Sequence, residues 1–160
     1  MCSCVFDSKK GEMENTGLKI GDRLLPFELV MNDGSRLSTT DLEGKVSVLV
    51  FFRTTCIDCQ NELPVIQKLY DEFGGDESVV IACVSTGEGN GIVSDYWANN
   101  DLTLPYSAST DKTLVESFGF KAVPQVYVSD KETTVRYIHS DNPIASLEQL
   151  ENEVKILFEK

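Results

Sequence analysis

Positive charge is scarce in this chain: 14 lysines and arginines stand against 26 aspartates and glutamates, a formal net charge of −12 over 160 residues. Most of such a surface repels phosphate backbones and anionic membranes, so nucleic acid is not an expected partner. Long apolar runs are missing too. The longest, 48–52 and 79–84, fall far short of the roughly 20 residues that span a bilayer. Histidine occurs once, at 139, and only one C-x-x-C is present, so the four nitrogen or sulfur ligands of a zinc site are not on offer. No metal and no cofactor are expected. Internal repeats are also absent, which excludes a solenoid and leaves one core to be built.

What is present is an ordinary soluble balance, 41% hydrophobic and 25% charged, in a length that fits one domain able to bury enough apolar surface without disulfide staples. Residues 1–17 are mostly polar, with no hydrophobic period, and read as a flexible tether; 18–160 read as the folded domain, expected to be a monomer. Five cysteines is an odd number, and their distribution is not that of a small secreted scaffold. Cys83 lies in an apolar run and reads as core. Only Cys56 and Cys59 form a motif.

Along the chain, apolar residues 24–30 precede Asn32-Asp33-Gly34-Ser35, whose Asp-Gly step predicts a hairpin turn into a short strand at 36–38. Residues 46–52 are β-branched and aromatic and apolar on both faces, as a central strand requires. The spacing of Leu63, Ile66, Leu69, Tyr70 and Phe73 predicts an amphipathic helix over 57–73, with Pro64 inside it expected to kink it. A second buried strand over 79–84 calls for a parallel pair. Helices at 92–99 and 111–118, strands at 125–129 and 134–139, and a last helix carrying Leu147, Leu150, Val154, Leu157 and Phe158 complete the reading. The order is β-α-β, an insert, then α-β-β-α: an α/β fold with a mixed central sheet covered by helices on both faces.

The chemistry sits at Cys56-Ile57-Asp58-Cys59. Cys56 follows the predicted central strand and opens a helix, so its sulfur should meet unpaired backbone N–H groups and the positive end of the helix dipole. Helix N-termini and C-x-x-C settings can lower a thiol from about 8.5 into the range of about 3.5 to 7.5. Cys59, nearly one turn on, shares the same side and can close a disulfide. Cys56 is the expected nucleophile and Cys59 the resolving thiol. Asp58 opposes a further negative charge beside the motif while its own place at the helix start is favourable, so the net shift has no sign from sequence; a less stabilised thiolate makes the pair more reducing, and a reductant is the expectation. Arg53 and the bulk of Ile57 are placed to shape access. A structural disulfide is the blander reading, and so short a loop gives it little chain-entropy gain.

Several further residues complete a pattern. Gly21-Asp22, Pro26-Phe27, Asp33-Gly34, Leu42, Gly44-Lys45, Phe51-Phe52, the C-x-x-C pair, Glu62, Pro64, Leu69-Tyr70, Phe118-Gly119 and Val123-Pro124 together resemble the thioredoxin-like proteins of the TlpA/ResA group, over 20–160. The resemblance implies a thioredoxin fold with an N-terminal β extension and an insert between the second core strand and the following helix. It implies a thiol-disulfide oxidoreductase acting on protein disulfides and recharged by an upstream thiol reductant. It also implies a cis-proline at Pro124 that turns the Val123 backbone towards Cys56, with substrate contacts at Val123, Ile57 and Thr55. Glu62 matches an acid thought to assist proton transfer; the alternative is an exposed helical glutamate. The chain departs from the group at Thr55, where tryptophan is usual, at Asp58, where proline is common, and at Gln125, where threonine is common.

Three other readings are weaker. The peroxiredoxin motif P-x-x-x-T-x-x-C needs proline and threonine where this chain has Leu49 and Arg53. A copper or haem chaperone using both cysteines with His139 resembles copper-delivery relatives only loosely, since those carry C-x-x-x-C. Gly87-Glu88-Gly89-Asn90-Gly91 lacks the spacing of a nucleotide loop, and Glu88 would repel phosphate. For location, Ser3 and Cys4 suit a lipoprotein processing site. A bacterial extracytoplasmic (periplasmic) protein is expected, with a lipid anchor at Cys4 as its only membrane attachment; the cytoplasm is the alternative.

Overall fold

The computed structural model describes residues 17–160; the expectations for Cys2, Ser3, Cys4 and the tether at 1–16 lie outside the described residues. The chain opens with a hairpin of β1 (Glu28–Val30) and β2 (Arg36–Ser38), paired antiparallel. The turn forms where the Asp-Gly step predicts it. Gly34 takes φ +88, and the Asp33 carboxylate accepts the Ser35 N–H at 2.9 Å. A 3-10 turn at Thr39–Leu42 leads to β3 (Val46–Phe52), all seven residues of which are buried.

Then follow α1 (Ile57–Phe73), β4 (Val79–Ser85), α2 (Asn90–Asn99), β5 (Tyr106–Ser107), α3 (Thr113–Phe118), β6 (Gln125–Ser129), β7 (Val135–His139) and α4 (Leu147–Phe158). The main sheet has the order β5-β4-β3-β6-β7, with β3 at its centre. β3 runs parallel to β4 and antiparallel to β6; β6 and β7 are antiparallel. This is the mixed sheet expected, with α2 and β5 as the insert. The N-terminal segment docks on the far edge, where Gly21 N–H donates to Val135 O and Leu24 N–H to Thr133 O, both at 2.8 Å.

Strand alternation divides the core into two layers. Val46, Val48, Val50 and Phe52 face Leu63, Ile66 and Leu69 of α1 and Leu150, Val154 and Leu157 of α4. Leu49 and Phe51 face the other way, against Phe118, Tyr127 and the hairpin residue Leu29. Cys83 is fully buried in the first layer, as its apolar run implies. Each such side chain contributes about 1.5 to 3 kcal/mol when fully buried. Among the described residues no disulfide links these layers: Cys56, Cys59 and Cys83 are all free thiols.

Local differences from the expected boundaries have local causes. α2 begins at Asn90, two residues before its apolar pattern, because Gly89 caps it and the first turn carries only Asn90 and Gly91. α3 begins at Thr113, two residues later than expected, because Asp111 turns its carboxylate onto the Thr113 N–H (2.9 Å) and hydroxyl (2.7 Å) and stays outside the helix. Gly119, at φ +75, ends α3 as anticipated. α1 runs continuously through Pro64, which lies on its exposed side. The two-residue β5 is unforeseen, as is a second cis peptide at Asn142-Pro143.

Candidate active site

β3 ends at the protein surface, and Arg53-Thr54-Thr55 carry the chain to Cys56, the N-cap of α1. With an extended backbone (φ −90, ψ 123), Cys56 directs its sulfur over the first turn, where it accepts the Cys59 N–H at 3.2 Å. A thiol thus takes the place that serine or aspartate usually fills at a helix start. Its own proton points to the Val123 carbonyl at 3.5 Å. The Val123-Pro124 bond is cis, Pro124 is buried, and Val123 and Cys56 are half-buried. Cys56, Cys59 and Val123 therefore meet at one point, with Pro124 joined to it through the cis bond. Thr55 and Ile57 flank it in the open, Ile57 at 72% exposure.

The two sulfurs live in different surroundings. Cys56 is half-buried, whereas Cys59 is fully buried and its sulfur accepts the Arg53 N–H at 3.5 Å. Burial pushes the Cys59 thiol far above the ordinary range; its hydrogen bond with Cys56 and the Asp58 carboxylate add in the same direction.

One turn further along α1, Glu62 is fully buried, and neither carboxylate oxygen has a hydrogen-bond partner among the described residues. An exposed helical glutamate is thus the wrong picture. Desolvation raises its pKa from 4.5 to about 7; the Ala145 amide and His139 favour the charged form but do not offset the burial. His139 itself holds Glu153, 2.8 Å from its ring nitrogen to each carboxylate oxygen. Position 62 continues the stripe 59, 66, 69, 73, so its inward direction was there to be read.

A third group was not anticipated. Thr54, two residues before Cys56, is pinned from three sides. Its N–H and hydroxyl both donate to the Glu88 carboxylate, each at 2.8 Å, while its carbonyl accepts the Gln60 side-chain amide at 2.8 Å. Glu88 lies 34 residues away, in the glycine-rich loop after β4. Instead of a ligand loop, that segment is a clamp on the loop that carries the reactive cysteine. Arg53 is tied to the same loop, its Nε donating to the Thr86 carbonyl (3.3 Å) and hydroxyl (3.1 Å).

A profile of the AhpC/TSA family matches residues 20–138, most of the chain. The chain belongs to the AhpC/TSA family. Within that family its similarity runs to proteins named thiol-disulfide oxidoreductase ResA. The one from Halalkalibacterium halodurans is 24% identical over 122 residues, 76% of this chain and 69% of the relative. The one from Bacillus cereus is 26% identical over 150 residues, 94% and 82%. In fold, this family member matches a thiol:disulfide interchange protein of the thioredoxin family from Chlorobium tepidum, with a TM-score of 0.74 at 20% identity over 86% of this chain and 96% of that one. The likeness to the TlpA/ResA group and the thioredoxin fold, both expected from the motifs, are borne out.

Two outcomes test this geometry. Because the folded Glu62 binds its proton more tightly than the unfolded chain, stability should be greatest below about pH 4.5 as far as this group is concerned, fall between 4.5 and about 7, and level off above. Glu62→Gln should remove that fall and gain roughly 3 kcal/mol above pH 7, at about 1.4 kcal/mol per pKa unit, read by urea denaturation across pH. Glu88→Ala should cost about 2 kcal/mol, as loss of hydrogen bonds to a charged group does, with Glu88→Gln recovering part of it.

Proposed function

We propose that this protein reduces disulfides in other proteins by exchange through Cys56 and Cys59. The observation that carries the reading is an accessible sulfur at a helix start, with a second, fully buried sulfur one turn away. The Cys56 sulfur gives its proton to solvent and attacks a substrate disulfide: a bond forms between Cys56 and one substrate sulfur as the substrate S–S bond breaks, and the other substrate sulfur leaves as thiolate and takes up a proton. Cys59 then loses its proton and attacks Cys56, closing the internal disulfide and freeing the second substrate thiolate. Two electrons pass to the substrate. An upstream dithiol reductant returns the pair to the thiol form by the reverse exchange.

Glu62 is the proton acceptor for Cys59 in this scheme. The resolving thiol is disfavoured as an anion by burial, so it needs a base, and a carboxyl near 7 on the same face of α1 is matched to that task. Val123 offers its backbone beside Cys56, where an extended substrate segment can pair as an added strand. Pro124 shapes that edge, and Thr55 and Ile57 provide the exposed contact surface. Asp58 acts against an anionic Cys59 and supports the reducing direction. A peroxidase would need threonine where Arg53 stands. We place the activity in a bacterial extracytoplasmic compartment, where disulfides persist, and treat the protein as a monomer with 18–160 as its working domain.

Cys59→Ser should trap substrate proteins on Cys56 as stable mixed disulfides, visible on non-reducing gels and lost in a Cys56→Ser, Cys59→Ser double variant. An empty trap with an oxidised model protein would sink the exchange reading. Wild-type turnover should rise through about pH 7. In Glu62→Gln that inflection should vanish and the rate above pH 7 fall about a hundredfold, the lower end of the usual range for a lost general base; an unchanged profile removes Glu62 from the mechanism.

A further inference from the structure

A cleft of about 250 Å³ opens beside the reactive sulfur, between the start of the Arg53 loop and the segment 120–123 that ends at the cis peptide. Val123 is part of its lining, and the Val123 carbonyl accepts the Cys56 thiol proton. Val115 and Phe120 give it an apolar wall; its charged residues are Arg53 and Lys121, and no carboxylate lines it. The Arg53 guanidinium is fixed through Nε to Thr86, while its two terminal nitrogens make no ion pair or hydrogen bond among the described residues. Lys121 is likewise without an ion pair there. A third cation is close by: the Lys112 side chain covers Gly87, so that a Cβ there would come within 2.6 Å of Lys112 Cε. The nearby Glu88 carboxylate is turned away, accepting both donors of Thr54.

In a chain with 26 acidic and only 14 basic residues, two cations lining one cleft beside the nucleophile, with a third over Gly87 next to its Thr86 rim, stand out. Resting on the disulfide-exchange reading above, we propose that this cleft receives an acidic side chain next to the cysteine of a protein substrate. A segment lying along Val123 with its disulfide at Cys56 brings a neighbouring side chain to the cleft mouth. Arg53, held by one edge, keeps its fork free for a carboxylate. The rest of the surface repels acidic partners at long range. That repulsion is screened beyond a Debye length of about 8 Å at physiological salt, whereas contact within a partly enclosed cleft is screened less.

The test uses three peptides that share one disulfide and differ only in flanking residues, Asp, Ala or Lys, with turnover rates measured on the full chain at physiological salt. The wild type should reduce the Asp peptide about fivefold faster than the Lys peptide. In Arg53→Gln, Lys121→Gln that ratio should fall to one or below. Taking a ratio within each variant removes any general loss of rate. A wild-type ratio of one or less overturns the inference. So does a ratio that survives the double substitution, or a preference for glutathione disulfide over every peptide, which would make the occupant a small thiol. Failure to reduce any disulfide, the Ala peptide included, would overturn instead the exchange reading on which the inference rests.

Discussion

The structure depends on a sulfur occupying the place of a helix cap. Cys56 accepts an N–H that α1 would otherwise leave without a partner, so the same contact that starts the helix also orients the nucleophile. The rest is arranged to keep that atom in place and reachable. β3 brings the chain out at the centre of the sheet, the cis peptide presents Val123 from the opposite side, and α1 carries Cys59 inward beneath it. A cap made by a side chain is local and tolerant of what happens beyond it. A cap made by a thiol is lost whenever that thiol forms a bond elsewhere, and here a second, buried cysteine lies within the same helical turn.

Burial does opposite things one turn apart. At Cys59 it holds the thiol in its neutral form, and at Glu62 it lifts a carboxyl into the range where it is part protonated near neutral pH. Both effects come from the same apolar layer, so two ionisable groups one turn apart are tuned by the packing that stabilises the domain. Glu62 costs stability: two carboxylate oxygens without partners in a core are a departure from the packing rules the rest of the domain obeys.

Elements whose pattern repeats were legible in the sequence. The central strand, the long amphipathic α1 and the terminal helix with its Ser146 capping box each carry a period or a cap, and the C-x-x-C needed only its position between strand and helix. Less legible was whatever rested on a few residues or on distant partners. β5 has two residues and no period to show. The clamp from Glu88 to Thr54 joins two loops through side chains, with no local signature, and its glycine-rich segment reads from sequence as no more than a loop. Glu62 was found through family likeness while its burial was left open, although the stripe through Cys59, Ile66 and Leu69 holds that answer.

Thr54 is tied down on every polar atom, and its neighbour Thr55 on none that the structure records. Rigidity therefore stops one residue short of the cysteine on the outward side. Residues 55 and 57 project into solvent from that fixed frame, so their side chains can change without moving the Cys56 sulfur.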